Sequence, residues 1–434
     1  MRQIFLLVIA SFCSLAARGE LSIQITQGVD NPVPIAVVPF SLEGGGVLSE
    51  NVYQVVIDDL EQVGEFRALS PASMLSLPDE EREVFFRDWR TLAQDYLLIG
   101  KIDRTPGSQL VQVQYEFFDV NRELKLAGEV ITGSVTQLRD IGHEISNVVF
   151  ELVTGIRGAF STQILYVVEE RQADGNFEFR LEKADYDGAR PQVLLQSSEP
   201  IMSPSWSPNG MEVAYVSFET DLPRIYTQNI ASGQRRQITN YPNINSSPVW
   251  SPDGSRLAMV LSKDGSPDIY VQDLVSNELI RITDHPGIDT EPSWSMDGES
   301  IVFMSDRTGQ PQIYQMEVGA PSYQVERLTY DCFQCMKAQF LPDGVNLVHV
   351  RRATRQSSYQ IAILNVENLR VITLTDTSLD ESPSVAPNGS MIIYATQVNG
   401  REVLDAVSID GQVKFRLPSL EGDVREPAWS PFFN

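Results

Sequence analysis

Pro204-Ser-Trp-Ser-Pro-Asn-Gly210, Pro248-Val-Trp-Ser-Pro-Asp-Gly254 and Pro292-Ser-Trp-Ser-Met-Asp-Gly298 repeat one motif, with Trp206, Trp250 and Trp294 spaced by 44 residues. The series continues in weaker form at Phe340, Val385 and Trp429, after steps of 46, 45 and 44. An apolar run follows each complete motif: Val213–Val216, Leu257–Val260, Ile301–Met304, Leu347–Val350 and Ile392–Ala395. A second run commonly carries Ile-Tyr (Ile225-Tyr226, Ile269-Tyr270, Ile313-Tyr314), and a third ends in Ile/Leu-Thr at Thr239, Thr283, Thr329 and Thr375. Four short strands in a period of about 44 residues, bounded by turn residues, predict a β-propeller blade. In the turn, Pro presets φ, Asp bonds local backbone and Gly takes positive φ. The aromatic residue supplies packing between blades that no single sheet could provide.

The ends of the repeat determine the blade count. Pro427-Ala-Trp-Ser-Pro431 has no strand after it, whereas Gln163–Val168 and the two strands that follow lack a motif in front. One blade is therefore expected to combine both ends, giving a six-bladed propeller over 163–434 closed by pairing of the C-terminal strand with the first blade.

Residues 32–157 show no such period. Pro34–Phe40 reads as a buried strand, Ser49–Val63 as an amphipathic helix capped by Ser49, and Asp79–Gln94 as a second helix. A strand at Tyr96–Ile102, a hairpin of Leu110–Phe118 with Lys125–Thr132, and a helix at Val135–Val153 complete an expected α/β layer domain, with 158–162 as linker. In front of it, Leu21, Ile23 and Ile25 alternate with polar residues until Gly28, Asn31 and Pro32, so 20–31 carries a separate strand. Such a strand either pairs within its own protein or is donated to another protein's sheet edge.

Residues 1–19 combine Arg2, the apolar run Ile4–Ala10 and the small-residue end Ala17-Arg18-Gly19, which predicts an export signal cut after Gly19. Cys13 would leave with it, Phe12 being unsuited to a lipidation site. The formal charge is -25, from 58 acidic and 33 basic residues, which excludes duplex nucleic acid and anionic lipid as partners. No other run is apolar enough to span a bilayer, so a soluble monomer in an oxidising compartment is expected. Three cysteines and three histidines without ligand spacing predict no zinc site. Cys332-Phe-Gln-Cys335 lies in a loop between propeller strands, where a local disulfide is expected in an exported protein.

No Gly-x-Ser-x-Gly, Gly-x-x-x-x-Gly-Lys-[Ser/Thr] or His-Glu-x-x-His motif occurs, so no catalytic, cofactor or metal residue is assigned. Function is expected in the loops entering the innermost strands, which ring one mouth of the channel: 198–203, 243–247, 287–291, 333–337, 379–382 and 422–426. They are polar, acidic on balance and unlike one another. A protein-binding rim explains them. A secreted hydrolase or lyase acting on cell-wall glycan, using a carboxylate pair from Asp289, Glu291, Asp380 and Glu381, is the alternative, and carboxylates holding a cation are a third.

The leader, the domain opening on Pro-Ile-Ala-Val-Val-Pro-Phe, the six Trp-Ser-Pro-Asp-Gly repeats and the ending Pro-Ala-Trp-Ser-Pro together resemble the TolB family of the Tol–Pal system. The resemblance spans essentially the whole chain after the leader. It implies a periplasmic adaptor, not an enzyme, that supports outer-membrane integrity and constriction during cell division. It further implies that the N-terminal strand (Glu20, Leu21, Ile23, Ile25, Gly28) binds the C-terminal domain of TolA. The propeller mouth would bind the lipoprotein Pal through Thr290, Glu291, Asp380, Glu381, Ser246 and Arg425, the two events being coupled through release of the strand. Other outer-membrane proteins and imported bacteriocins are further implied partners. Ile244 stands where the family pattern has histidine, and the Cys332/Cys335 loop is outside that pattern.

Overall fold

A computed structural model of the chain describes residues 25–27, 31–45, 48–105, 107–418 and 422–433. The expected leader lies outside the described residues, as do Glu20, Leu21, Ile23 and Gly28 of the N-terminal strand.

The first domain is a mixed sheet with helices α1 (Val52–Gln62), α2 (Phe86–Thr91) and α3 (Leu138–Thr154). Its strands lie in the order Phe66–Ala68, Val33–Val37, Tyr96–Asp103, Leu110–Asp119, Leu124–Ser134. The first three run parallel and the rest antiparallel. Strand alternation separates two cores: Ile35, Val37 and Leu98 pack with α1 and α3, while Ala36, Leu97 and Ile99 pack around Trp89 of α2.

Two expected elements differ. The helix over 79–94 is reduced to Phe86–Thr91, preceded by one tight turn at Glu81–Glu83. The acidic run Asp79–Glu81 is drawn out by partners on the sheet: Asp79 accepts from Ser41 (2.6 Å), Glu80 from Lys101 (2.9 Å) and Glu81 from Lys125 (3.5 Å). Ser49 does not cap α1; its hydroxyl donates to the Val135 carbonyl (3.0 Å), tying the helix entry to the turn that precedes α3.

The remainder is six four-stranded antiparallel blades around a channel. Blade one joins Asp423–Trp429 to Gln163–Arg171, Phe177–Asp185 and Gln192–Ser197. Blades two to six start with the innermost strands Ile201–Trp206, Asn245–Trp250, Asp289–Trp294, Gln334–Phe340 and Asp380–Val385. The motif residues act as their chemistry requires. Gly254 (φ 73°) closes the turn, while Ser251 Oγ donates to Asp253 (2.6 Å). Trp206 and Trp294 donate to the carbonyls of Ala428 and Val249 in the preceding blade (3.0 and 3.1 Å). The recurring threonine completes the backbone pairing, because the hydroxyls of Thr239, Thr283, Thr329 and Thr375 accept from the amides of Ile225, Ile269, Ile313 and Ile361 at 2.9–3.0 Å. Each satisfies a buried donor where the outer strand ends. Ile25–Gln27 adds a fifth strand to blade six, Ile25 opposite Phe415 and Gln27 opposite Lys414.

The domains share one apolar core containing Val56, Leu60 and Phe150 from the first and Tyr186, Phe415 and Trp429 from the propeller. Within it, Asp59 of α1 accepts from Tyr186 Oη (2.8 Å) and pairs with His143 Nδ1 of α3 (2.8 Å). Arg139 bonds Asp185 and Asp187 of blade one. Burial disfavours the His143 cation, but Asp59 and then Asp187 outweigh it and hold its pKa above the ordinary 6.5, with Arg139 opposing. The pKa of His349 of blade five, which is fully buried, is pushed down to about 4 by that burial.

Trp294→Ala should lower stability by about 3–5 kcal/mol, whereas Met296→Ala, half exposed in the same motif, should change it by under about 0.5 kcal/mol; denaturant unfolding distinguishes them. The histidines predict opposite pH dependences. A raised folded pKa stabilises fully below 6.5 and is lost as pH rises through the folded value, so the melting advantage of the parent over His143→Gln should shrink from pH 6 to 9. His349 binds a proton only when unfolded between about 4 and 6.5, so the parent should lose stability relative to His349→Phe as pH falls through that window.

Candidate binding mouth of the propeller

Each innermost strand breaks register once, between Met202 and Ser205, Ser246 and Val249, Thr290 and Ser293, Met336 and Gln339, Glu381 and Ser384, and Arg425 and Ala428. In five blades the break contains a proline, Pro204, Pro248, Pro292, Pro383 or Pro427, which has no N–H for the ladder and is accommodated at a bulge. The residue before that proline, or before Ala338 in blade five, adopts positive φ, at 50° to 56° in all six blades: Ser203, Ser247, Glu291, Lys337, Ser382 and Glu426. These six line the central channel, whose cavity volume is about 500 Å³.

The backbone is the same in every blade, so the chemistry lies in the side chains. Glu291 accepts from the amide of Lys337 (2.8 Å) and lies 3.8 Å from its Nζ, and Glu426 accepts from the amide of Ser203. These carboxylates therefore join neighbouring blades. Burial opposes the Lys337 cation, but Glu291, Glu426 and Glu381 hold its pKa above the ordinary lysine value.

One position earlier, Met202, Ser246, Thr290, Met336, Glu381 and Arg425 form an outer tier. Arg425 is held between Glu169 (2.8 Å) and Glu402 (2.9 Å). One further back, Ile201, Asn245, Asp289, Cys335, Asp380 and Val424 are all buried. Three of these are polar anchors for the mouth loops. Asn245 donates to the carbonyls of Tyr241 and Asn243 (2.9 and 3.1 Å). Asp289 takes two bonds from Arg307 (3.1 and 3.0 Å). Asp380 accepts from Thr375, Thr377 and Thr396. Burial raises the Asp380 pKa against these hydroxyls. In blade five the anchor is covalent, a disulfide between Cys332 and Cys335.

Ser246, Thr290, Glu381 and Arg425 thus share the outer tier, Glu291 faces the channel, and Asp380 lies beneath the rim. Its carboxylate is fully buried and shapes the loop rather than facing solvent. Ser203, Ser247, Lys337, Ser382 and Glu426 close five of the mouth loops expected from sequence, but only Glu291 among the six channel positions was singled out as a binding residue. Sequence reasoning missed an apolar sector on blades two to four, where Met202, Leu222, Ile244 and Ile288 are 39–45% exposed. Of the carboxylates considered for glycan hydrolysis, Asp289, Glu291 and Asp380 each have a fixed structural partner.

Residues 150–433 match the TolB beta propeller domain, and residues 21–126 match the TolB amino-terminal domain. The chain belongs to the TolB family. It is 51% identical over 429 residues to the Tol-Pal system protein TolB of Pseudomonas fluorescens Pf-5, covering 99% of this chain and 98% of that protein. Against the Tol-Pal system protein TolB of Pseudomonas aeruginosa PAO1 it is 52% identical over 423 residues, covering 96% of each. The crystal structure of TolB from Acinetobacter baumannii superposes with a TM-score of 0.87 at 36% identity, covering 95% of this chain and 100% of that one. The chain is thus a Tol–Pal system propeller protein. No helix among the described residues is long and apolar enough to cross a membrane.

Asp289→Ala should leave Arg307 uncompensated in a nearly closed site and lower stability by about 3–5 kcal/mol. Glu381→Ala on the outer tier should stay within about 0.5 kcal/mol of the parent; thermal and denaturant unfolding read the difference.

Proposed function

We propose that this protein is a periplasmic adaptor that binds Pal through the propeller mouth and the C-terminal domain of TolA through its N-terminal strand, in support of outer-membrane integrity and constriction during division. The observation that carries the reading is the mouth itself. Six equivalent bulges present serine, glutamate and lysine to the channel and methionine, serine, threonine, glutamate and arginine on the outer tier, with an apolar sector, acidic residues and a basic sector around one opening. Such a mixed rim suits a folded protein partner better than a small substrate. Within it, Ser246, Thr290, Glu381 and Arg425 are the contacts proposed for Pal, Glu291 acts at the channel entrance, and Asp380 positions the loop.

The strand reading is supported by the pairing of Ile25–Gln27 with blade six. Three residues of antiparallel ladder at an outer edge form a short attachment, which pairing with another protein's sheet edge could replace. Residues 20–31 are proposed as that exchangeable segment, after a leader of 1–19 and before the α/β domain of 32–157.

Deleting Glu20–Gly28 should abolish binding of the TolA domain while Pal binding stays intact or strengthens, as read by calorimetry; unchanged TolA binding would refute the strand assignment. Glu291→Ala and Glu381→Ala should each weaken binding of Pal's soluble domain at least tenfold, or about 1.4 kcal/mol. Affinity within twofold of the parent for both would withdraw the rim assignment.

A further inference from the structure

The mouth of blade five is built differently from the others. The chain carries 58 acidic and 33 basic residues, yet Arg352 and Arg355 have no carboxylate within ion-pair distance among the described residues. Their guanidinium carbons lie 5.8 and 5.3 Å from the centre of the Phe333 ring, and that of Arg352 also lies 5.2 Å from the Tyr359 ring. Arg352 donates to two backbone carbonyls, Ser357 (3.1 Å) and Arg355 (2.5 Å), which shapes the loop and leaves its charge uncompensated. Arg355 is exposed.

Phe333 is held from several directions. Cys332 and Cys335 are joined on either side of it. Its amide donates to the Arg352 carbonyl (2.9 Å), Gln312 donates to the carbonyls of Cys332 and Phe333 (3.3 and 3.4 Å), and the neighbouring Gln334 accepts from Tyr359 Oη (2.7 Å). The two cations therefore share a ring whose loop is already ordered, and preorganisation of this kind reduces the entropy lost on binding.

The disulfide has a second consequence. Thr377 and Asp380 anchor the blade-six loop at a separation of three residues, as Cys332 and Cys335 do in blade five, and Asp289 anchors blade four. Both aspartates add a negative charge beneath the rim, and Asp289 neutralises Arg307. A disulfide anchors the loop without adding charge, so the blade-five arginines keep their field. Guanidinium groups presented this way match carboxylates.

We propose that the blade-five rim, with Arg355 and Arg352 over the disulfide-clamped Phe333, is a carboxylate-reading sector that holds an acidic segment of the partner protein. The proposal rests on the reading of the mouth as a protein-binding rim. The probes are Pal's soluble domain and a hexaglutamate peptide, titrated into the mature protein at low and moderate salt. Arg355→Glu should weaken Pal binding at least tenfold and flatten its salt dependence, and Arg355→Lys should recover part of the loss. Cys332→Ser/Cys335→Ser should weaken binding through loss of the clamp. Cys332→Thr/Cys335→Asp, which copies the blade-six anchor and adds a charge, should bind more weakly still, with melting temperature compared to check that the loop is held. Pal binding by Arg355→Glu equal to the parent overturns the inference while leaving the adaptor reading intact. If the parent does not bind Pal but binds hexaglutamate, and Arg355→Glu loses that binding, the adaptor reading fails and the carboxylate sector stands; if neither probe binds, both fall.

Discussion

The antiparallel ladder between Asp423–Trp429 and Gln163–Arg171 is the contact on which the rest of the propeller depends. It joins the two ends of the repeat, and the Ser430 hydroxyl adds a bond from the Gln163 amide across 267 positions of chain. The pairing leaves neither end strand as a free inner edge. Trp429 then donates to Thr162 (2.8 Å) just before the first propeller strand, and packs into the core shared with α1 and α3. Ring closure and domain docking are therefore one packing problem, and the buried Asp59, His143, Tyr186 group sits within that shared core.

The ring lets side chains vary without disturbing the fold. A bulge is set by backbone and register, with a proline in five blades, so its positive-φ residue can be serine, glutamate or lysine on the same scaffold. Buried anchors behave similarly. Asparagine and a disulfide hold a loop without charge and aspartate holds one with it, which lets neighbouring rim sectors differ electrostatically while their backbones remain alike.

Legibility from sequence varied with the physics of each element. The propeller was readable because turn chemistry, strand period and the spacing of the motif residue, a tryptophan in four of six repeats, agree, so local signals reinforce one another. In the first domain such agreement failed at Asp79–Gln94, where helical patterning lost to ion pairs with Lys101 and Lys125 on the sheet, and at Ser49, whose hydroxyl found a distant carbonyl instead of its own helix. At the mouth, Ser246, Thr290, Glu381 and Arg425 occupy equivalent positions in four of the six repeats, and ring closure brings them onto one tier. Asp380, adjacent to Glu381 in the chain, proved to be buried beneath it, because strand alternation sends successive side chains to opposite faces.

The sequence by itself determined the blade count, the turn geometry, the acidic character and the family, since each depends on local conformational preference or on composition. Tertiary structure alone decided which carboxylates are anchors and which line the mouth, which cations are compensated, and where Ile25–Gln27 pairs. Those properties depend on distances between residues far apart in the chain, and a periodic sequence contains them only after the ring has closed.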